Sequence, residues 1–415
     1  MNSRLNFLYV LLTLYLILDI YTFLGLRALF VDKTSKLIFS SLYIAASLFT
    51  FFSFYKVFEV VSTGSIFSDS SANIFLGIFF TMFVGKLIFT ILLLLQDTGR
   101  LIWGIGDSVQ AALTDRDKTN FLPARRNFLT WTAAGIAAVP FLGMLYGITK
   151  GKYAYTVNKV TLNFPDLPKA FSGFKIVQIS DIHSGSFDNP TKVAEGVAMV
   201  NAQQPDLILF TGDLVNADKD EINPYLDIFR KLAAPEGKYC VLGNHDYYGA
   251  PQDQAASKAY WKDFYSKYEQ MGFRLMNNEH AYIERAGEKI CLLGVENWGA
   301  PPFPQIGDLD KALKNVRADD FCVLMSHDPT HWEHRVLPNE KKIHLTLSGH
   351  THGMQFGINL PGMKWSPVQY RYKRWMGLYE EAQQYLYINR GFGFLAFPGR
   401  VGMWPEITVI ELGVA

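Results

Sequence analysis

The sequence predicts a chain in two parts, an all-α membrane bundle followed by an α/β domain, and three observations carry that reading. Four long apolar stretches fill the first 150 residues, short β-branched runs alternate with polar helix-like segments after them, and all nine histidines lie at or beyond His183. Composition agrees, since 49% hydrophobic and 15% aromatic residues over 415 positions are richer than an ordinary soluble chain and too many for one domain. A formal net charge of +1 gives no polyelectrolyte character, so no nucleic-acid partner is expected.

The apolar stretches cover residues 5–26, 37–61, 72–95 and 128–148. Each is long enough to cross a bilayer as a helix, which takes about 20 residues. Core helices of a soluble domain would carry a polar face, and these are apolar nearly all round. Two charges interrupt them, Asp19 in the first and Lys86 in the third. An ion in hydrocarbon is costly unless it meets a partner or water. Either the two side chains approach one another inside the bundle, or each snorkels to a wet interface.

Orientation follows from the short loops. Lys33 and Lys36 lie in the first, Arg100, Arg116, Lys118, Arg125 and Arg126 in the third, only Arg4 at the N-terminus, and no Lys or Arg in the second, 62–71. Cytoplasmic loops collect Lys and Arg, which makes a multi-pass cell-membrane protein with its C-terminal domain on the extracytoplasmic side. Arg125-Arg126-Asn127-Phe128-Leu129 also resembles a twin-arginine export signal, with a plain cytoplasmic anchor for the fourth helix as the other reading.

Residues 151–415 form the second predicted domain, after a transmembrane region over 1–150. Strands are expected at 175–180, 207–211, 239–242, 290–295, 322–326 and 343–348, with helices at 190–203, 224–232, 254–271 and 309–316. That alternation implies a largely parallel sheet with helices on its faces. Cys240, Cys291 and Cys322 sit inside apolar runs without ligand spacing, and read as core.

Most of the strands end in a polar cluster: Asp181-Ile182-His183, Gly212-Asp213, Gly243-Asn244-His245-Asp246, Ser326-His327-Asp328 and Gly349-His350-Thr351-His352. Side chains at the carboxyl ends of strands in an open α/β sheet converge on one crevice. Carboxylate, imidazole and amide oxygen together suit divalent transition metals better than calcium or structural zinc.

The ordered series D-x-H, G-D, G-N-H-D, H, G-H-x-H is similar to the signature of the calcineurin-like metallophosphoesterases. The flanks, with Asn389-Arg390-Gly391-Phe392-Gly393 and Pro405-Glu406-Ile407-Thr408, resemble the branch with membrane-anchored members. The resemblance implies a four-layer αββα sandwich. It also implies a binuclear centre of two divalent ions (Mn, Fe, Zn or Co): Asp181, His183 and His352 hold one, Asn244, His327 and His350 the other, and Asp213 bridges. His245 would stabilise developing charge or protonate the leaving oxygen, with Asp246 orienting its imidazole. The activity implied is hydrolysis of a phosphoester or pyrophosphate bond by a hydroxide that the two ions activate. An envelope lipid or a UDP-2,3-diacylglucosamine-like molecule is a candidate substrate; the alternative is a non-catalytic metal-binding membrane sensor or binding protein.

His280, His331, His334 and His344 stand on no strand-end motif and are read as surface or core. Met354, Gly399 and Trp404 depart from the pattern, which affects pocket shape and leaves the metal shell alone. Phe392, Phe394, Leu395, Phe397 and Trp404, and a basic group of Arg371, Lys373 and Arg374 among Tyr370, Tyr372 and Trp375, have two readings: a lipid-facing rim, or core packing beside a solvated charge run.

Overall fold

The computed structural model describes residues 2–63, 70–114 and 123–415, with side chains at 9–60, 72–114 and 126–415. Two compact units emerge, one of the N-terminal helices as far as Tyr146 and one that includes Gly147–Ala415.

The first unit is built from α1 (Asn2–Arg27), α2 (Lys33–Thr63), α3 (Ser70–Thr114) from Ile74 onward and α4 (Pro123–Thr149) as far as Tyr146. All four contain spans long and apolar enough to cross a membrane. Their solvation pattern is the inverse of a soluble bundle's. Leu42, Leu48, Leu95 and Val139 point outward and exposed, while Asp19, Thr22, Ser47, Thr50, Lys86 and Thr90 are buried inside. Lipid favours that arrangement, because polar groups must find partners within the bundle. Lys86 Nζ pairs with Asp19 Oδ1, and Tyr43 and Ser47 both donate to the same carboxylate at 3.0 Å. Of the two sequence readings of these charges, mutual pairing is the one observed.

The third helix corrects the sequence reading. It runs 45 residues, about 68 Å at 1.5 Å per residue, and continues well past Leu95. Residues 96–114 hold glycines but no proline, so nothing removes an intrahelical hydrogen bond and the helix propagates. Arg100 therefore lies on α3, paired with Asp97 at 3.1 Å, and not in a loop. Arg116 and Lys118 lie outside the described residues, as do the side chains of Arg4 and Arg125.

The second unit runs β1 (Thr156–Phe164), β2 (Phe174–Ile179), α5 (Pro190–Asn201), β3 (Leu207–Phe210), α6 (Leu226–Phe229), β4 (Lys238–Cys240), α7 (Gln254–Gln270) and β5 (Arg274–Leu275). It continues through β6 (Glu279–Arg285), β7 (Glu288–Gly294), α8 (Leu309–Ala312), β8 (Cys322–Met325), β9 (Leu345–Ser348), β10 (Ile358–Leu360), β11 (Met363–Trp365), β12 (Gly377–Glu381), β13 (Gln384–Ile388) and β14 (Glu406–Val414). One six-stranded sheet has the order β1-β14-β2-β3-β4-β5 and the other β12-β13-β9-β8-β7-β6. Parallel pairing runs from β2 to β5 and from β7 through β8 and β9 to β13; β14 on β2, β6 on β7 and β12 on β13 are antiparallel.

Strand alternation builds the layers. Ile176, Leu207 and Leu209 face Val323, Met325, Leu345 and Leu347 in a core between the sheets. Their neighbours Val177, Ile179, Ile208 and Phe210 turn outward to pack on α5 and α7. Cys322 and Leu324 face outward on the second sheet with Trp332 and Val336. The result is the αββα sandwich. All three cysteines are buried free thiols. Phe392 and Phe394 are also core, with the Phe392 ring centroid 4.5 Å from that of Tyr155 and tilted by 36°, and Arg374 pairs with Glu333 and Glu381. The packing reading thus holds for those residues. The tail motif serves the sheet: Arg390 pairs with Glu406, which also accepts from Tyr387 and Thr408.

Candidate metal centre

The carboxyl ends of β2, β3, β4, β8 and β9 bring the strand-end clusters to one place. Several of these residues leave their strands by a left-handed backbone step: Asp181, His183, Asp213, His350 and His352 have φ between +46° and +69°. Non-glycine residues hold that conformation at a cost, tolerated where surrounding structure over-determines it, as at functional sites. Two glycines make the close approach possible. A Cβ at Gly243 would collide with the Asp213 carboxylate, and one at Gly349 with Ser180 and Asp181.

Two groups of side chains could each hold a metal ion: Asp181, His183 and His352 in one, Asp213, His327 and His350 in the other, with the donor atoms of each within 4.8 Å of one another. Asp213 Oδ2 stands between them, 3.1 Å from His327 Nε2 and 3.5 Å from His183 Nε2. Its other oxygen accepts the His245 amide at 2.8 Å. The Asp181 carboxylate accepts the His350 amide and lies 3.2 Å from His352 Nε2.

Partners behind the rings set which nitrogen faces inward. His183 Nδ1 meets the Val215 carbonyl at 3.2 Å and His327 Nδ1 the Thr211 carbonyl at 2.7 Å, so both present Nε2 to the centre. His350 is turned the other way, its Nε2 2.7 Å from the Tyr372 hydroxyl and 3.4 Å from Asp328. His352 Nδ1 accepts from Arg400, a fully buried guanidinium that also donates to the carbonyls of Gly393, Arg390 and Met403. Arg400 carries no spacing signal and was missed by sequence reasoning, which singled out Tyr372 only within the aromatic and basic group and not as the partner of His350.

Asn244 offers a test of whether a cation fits. Its Nδ2 donates to Tyr248 at 3.0 Å, which fixes the amide, and its Oδ1 is buried without a hydrogen-bond partner among the described residues. An orphaned carbonyl oxygen lining the same cleft as Asp213 and His350 suits a hard or borderline cation. The donor set therefore fits divalent metal.

Electrostatics point the same way. Burial pushes His183 and His350 below the ordinary imidazole range. Burial works against the charge of Asp213, yet His327 and His245 hold it well below the usual carboxylate range. His327, opposed by burial and favoured by Asp213, is lifted to about 10.

One sequence expectation is corrected. The Asp246 carboxylate takes the backbone amides of Asp213, Leu214, Val215 and Gly243, at 2.8–3.3 Å. It is the Asn216 carbonyl, 2.7 Å away, that holds His245 Nδ1. Four inward-pointing amides, three from the turn after β3 and one from the turn after β4, attract a carboxylate more strongly than one ring N–H does. The open side of the centre is a cleft of about 300 Å³ lined by Asp213, Asn244, His245, His350, Arg371 and Phe303 among others, with exposed Met354 on its rim.

Comparison with known proteins agrees with this geometry. The calcineurin-like phosphoesterase family model matches residues 174–354, and the model described as a probable calcineurin-like phosphoesterase transmembrane domain matches 3–152. The uncharacterized metallophosphoesterase YkuE of Bacillus subtilis is 30% identical over 297 residues, covering 70% of this chain and 97% of that protein. A transmembrane protein with metallophosphoesterase domain from Danio rerio is 29% identical over 276 residues, 65% of this chain, which spans 60% of that relative's length. Its counterpart in Bos taurus is 28% identical over 326 residues, 76% of this chain and 67% of the relative. With an αββα sandwich, paired carboxylate and imidazole groups at its strand ends, and a relative matched over nearly its full length, the chain belongs to the calcineurin-like phosphoesterase family.

Proposed function

We propose that residues 151–415 are a binuclear phosphoester hydrolase held at a membrane by residues 1–150. The observation that carries the reading is Asp213 Oδ2, placed within 3.5 Å of an imidazole from each donor group. Asp181, His183 and His352 would hold one divalent ion, Asn244, His327 and His350 the other, and Asp213 both. Such a pair supplies a nucleophilic oxygen at neutral pH and offsets charge on the phosphoryl group. The chain's own part is orientation. With Nδ1 tied to Asn216, His245 presents Nε2 to the cleft, where a protonated ring can donate to a leaving oxygen. Arg371 on the cleft wall adds a cation for the anionic ester.

A lipid phosphoester is the favoured substrate class, because Phe303, Val368, Leu395 and Met354 give the cleft an apolar wall beside the polar centre. The charge at the α1–α2 junction supports an extracytoplasmic catalytic domain, since Lys33 and Lys36, in the first turn of α2, have no counterpart in residues 62–71. Purified full-length protein should hydrolyse bis(4-nitrophenyl) phosphate with manganese, and His245→Ala should lower turnover while keeping metal. Bound metal without turnover in Mn, Fe, Zn or Co would overturn hydrolysis and favour a sensor.

A further inference from the structure

The metal cleft has a projection on its wall that the reaction does not use. Thr351, His352 and Met354 line the cleft, the chain then leaves as the β10–β11 hairpin, and it returns to line the cleft again with Pro367, Val368 and Arg371. The root is tied down by Ser366 Oγ donating to the Gly353 carbonyl at 2.8 Å and by the Gly357 amide donating to Val401 at 2.9 Å. Beyond that root Ile358 pairs with Trp365, Asn359 with Lys364 and Leu360 with Met363, closed by a turn with Gly362 at φ +80°.

Directly opposed residues share a face and neighbours along a strand alternate. Ile358, Leu360, Met363 and Trp365 therefore make one apolar face, and Asn359 and Lys364 the other. Leu360 is 61% exposed and Met363 52%, and neither belongs to any of the hydrophobic clusters among the described residues. A three-pair hairpin is marginal in water by itself, and an uncovered apolar face makes it more so.

We propose that this face enters the interface of a lipid bilayer, and that the hairpin thereby brings the phosphoryl group of a membrane-embedded amphiphile to the metal cleft. The inference rests on the hydrolase reading and names its substrate class. Lipid is the occupant favoured because the same chain carries four helices of membrane length. Exposed Lys364, Arg371 and Lys373 complement anionic headgroups, and Trp365 and 80%-exposed Tyr370 are residue types that settle at headgroup level. An amphiphile can keep its tail in the bilayer while its headgroup enters a cleft that adjoins the hairpin root.

The test uses full-length protein in nanodiscs of phosphatidylcholine and phosphatidylglycerol, with two probes sharing one leaving group: bis(4-nitrophenyl) phosphate in water and hexadecyl 4-nitrophenyl phosphate in the disc. Leu360→Asp with Met363→Asp should lower turnover of the hexadecyl probe about tenfold or more and leave the soluble probe unchanged. An environment-sensitive fluorophore on Leu360→Cys should be quenched by doxyl-labelled lipid, and one on Lys192→Cys, on α5, should not. Equal loss on both probes, or no lipid quenching at Leu360, would overturn the proposal. So would shielding from aqueous iodide without lipid quenching, the outcome for a protein partner. Failure of wild type on the soluble probe would instead count against the hydrolase reading, and quenching still tests the hairpin.

Discussion

His245 hangs from the backbone carbonyl of Asn216, its Nδ1 2.7 Å from that oxygen, while the neighbouring Asp246 faces away into a nest of amides. The division of labour separates two effects that a His-Asp pair would merge. Asn216 orients the imidazole; Asp246 holds the turn that carries Asp213.

Asp246→Asn should therefore act on stability and metal retention first. An amide in place of the carboxylate turns an NH2 toward at least one backbone N–H, a buried mismatch of about 1–3 kcal/mol. The melting temperature and the bound metal should fall, and turnover per bound metal should stay near the wild-type value. Unchanged melting and metal content with slower turnover would make Asp246 the partner of the imidazole after all.

Asn244→Ala removes one neutral donor from one of the two groups and leaves Asp181, His183 and His352 intact. Bound metal, read by plasma mass spectrometry, should fall from about two ions per chain toward about one. Turnover should drop at least about a hundredfold, since even outer-shell changes cost 10–100-fold in affinity or activity. Unchanged stoichiometry would take Asn244 out of the ligand set.

Much of this was legible in the residues themselves. Donor residues stand directly after runs such as Lys175–Ile179 and Leu207–Phe210, so the strand ends and the site were readable together. The apolar stretches were equally plain, because lipid imposes uniform hydropathy over about 20 residues. Strands β1, β12, β13 and β14, at one end of each sheet, were missed: polar residues such as Asn158 and Glu380 mask alternation, and β1 pairs far off in sequence, Thr156 with Glu406. The end of α3 was also missed, since the uniform hydropathy stops at Leu95 while the helix runs on through Gly99, Gly104 and Gly106, which only weaken it. Arg400 behind His352 was beyond reach, as nothing local marks an arginine that four carbonyls and a ring will surround.

Within the bundle, Lys86 and Asp19 satisfy one another with Tyr43 and Ser47 completing the carboxylate's partners. Removing one side of a buried pair strands the other charge, at about 3–5 kcal/mol. Asp19→Leu and Lys86→Leu should each reduce the monodisperse yield in fluorescence-detected size exclusion. The double variant Asp19→Leu/Lys86→Leu should recover most of it, because two apolar groups need no partners in lipid. A double variant as poor as the worse single one would show that the pair has a further task.

His331 gives a pH dependence that can be separated from the metal ligands. Its ring is buried, bonded through Nδ1 to Ser326 Oγ at 2.8 Å, and burial, aided by the charge of Arg335, pushes its pKa from 6.5 to about 3. The folded state thus takes up the proton less readily than the unfolded chain, whose histidine titrates near 6.5. The stabilisation from keeping this ring neutral is complete above pH 6.5 and drains away as the pH falls from there toward 3. Linkage puts the loss between pH 8 and pH 5 at about 2 kcal/mol. His331→Gln can keep a bond to Ser326 and has no proton to gain, so its melting temperature should fall less than wild type's over that interval, by roughly 4–8 °C. Parallel curves for the two proteins would mean that His331 is protonated, or solvated, in the folded state.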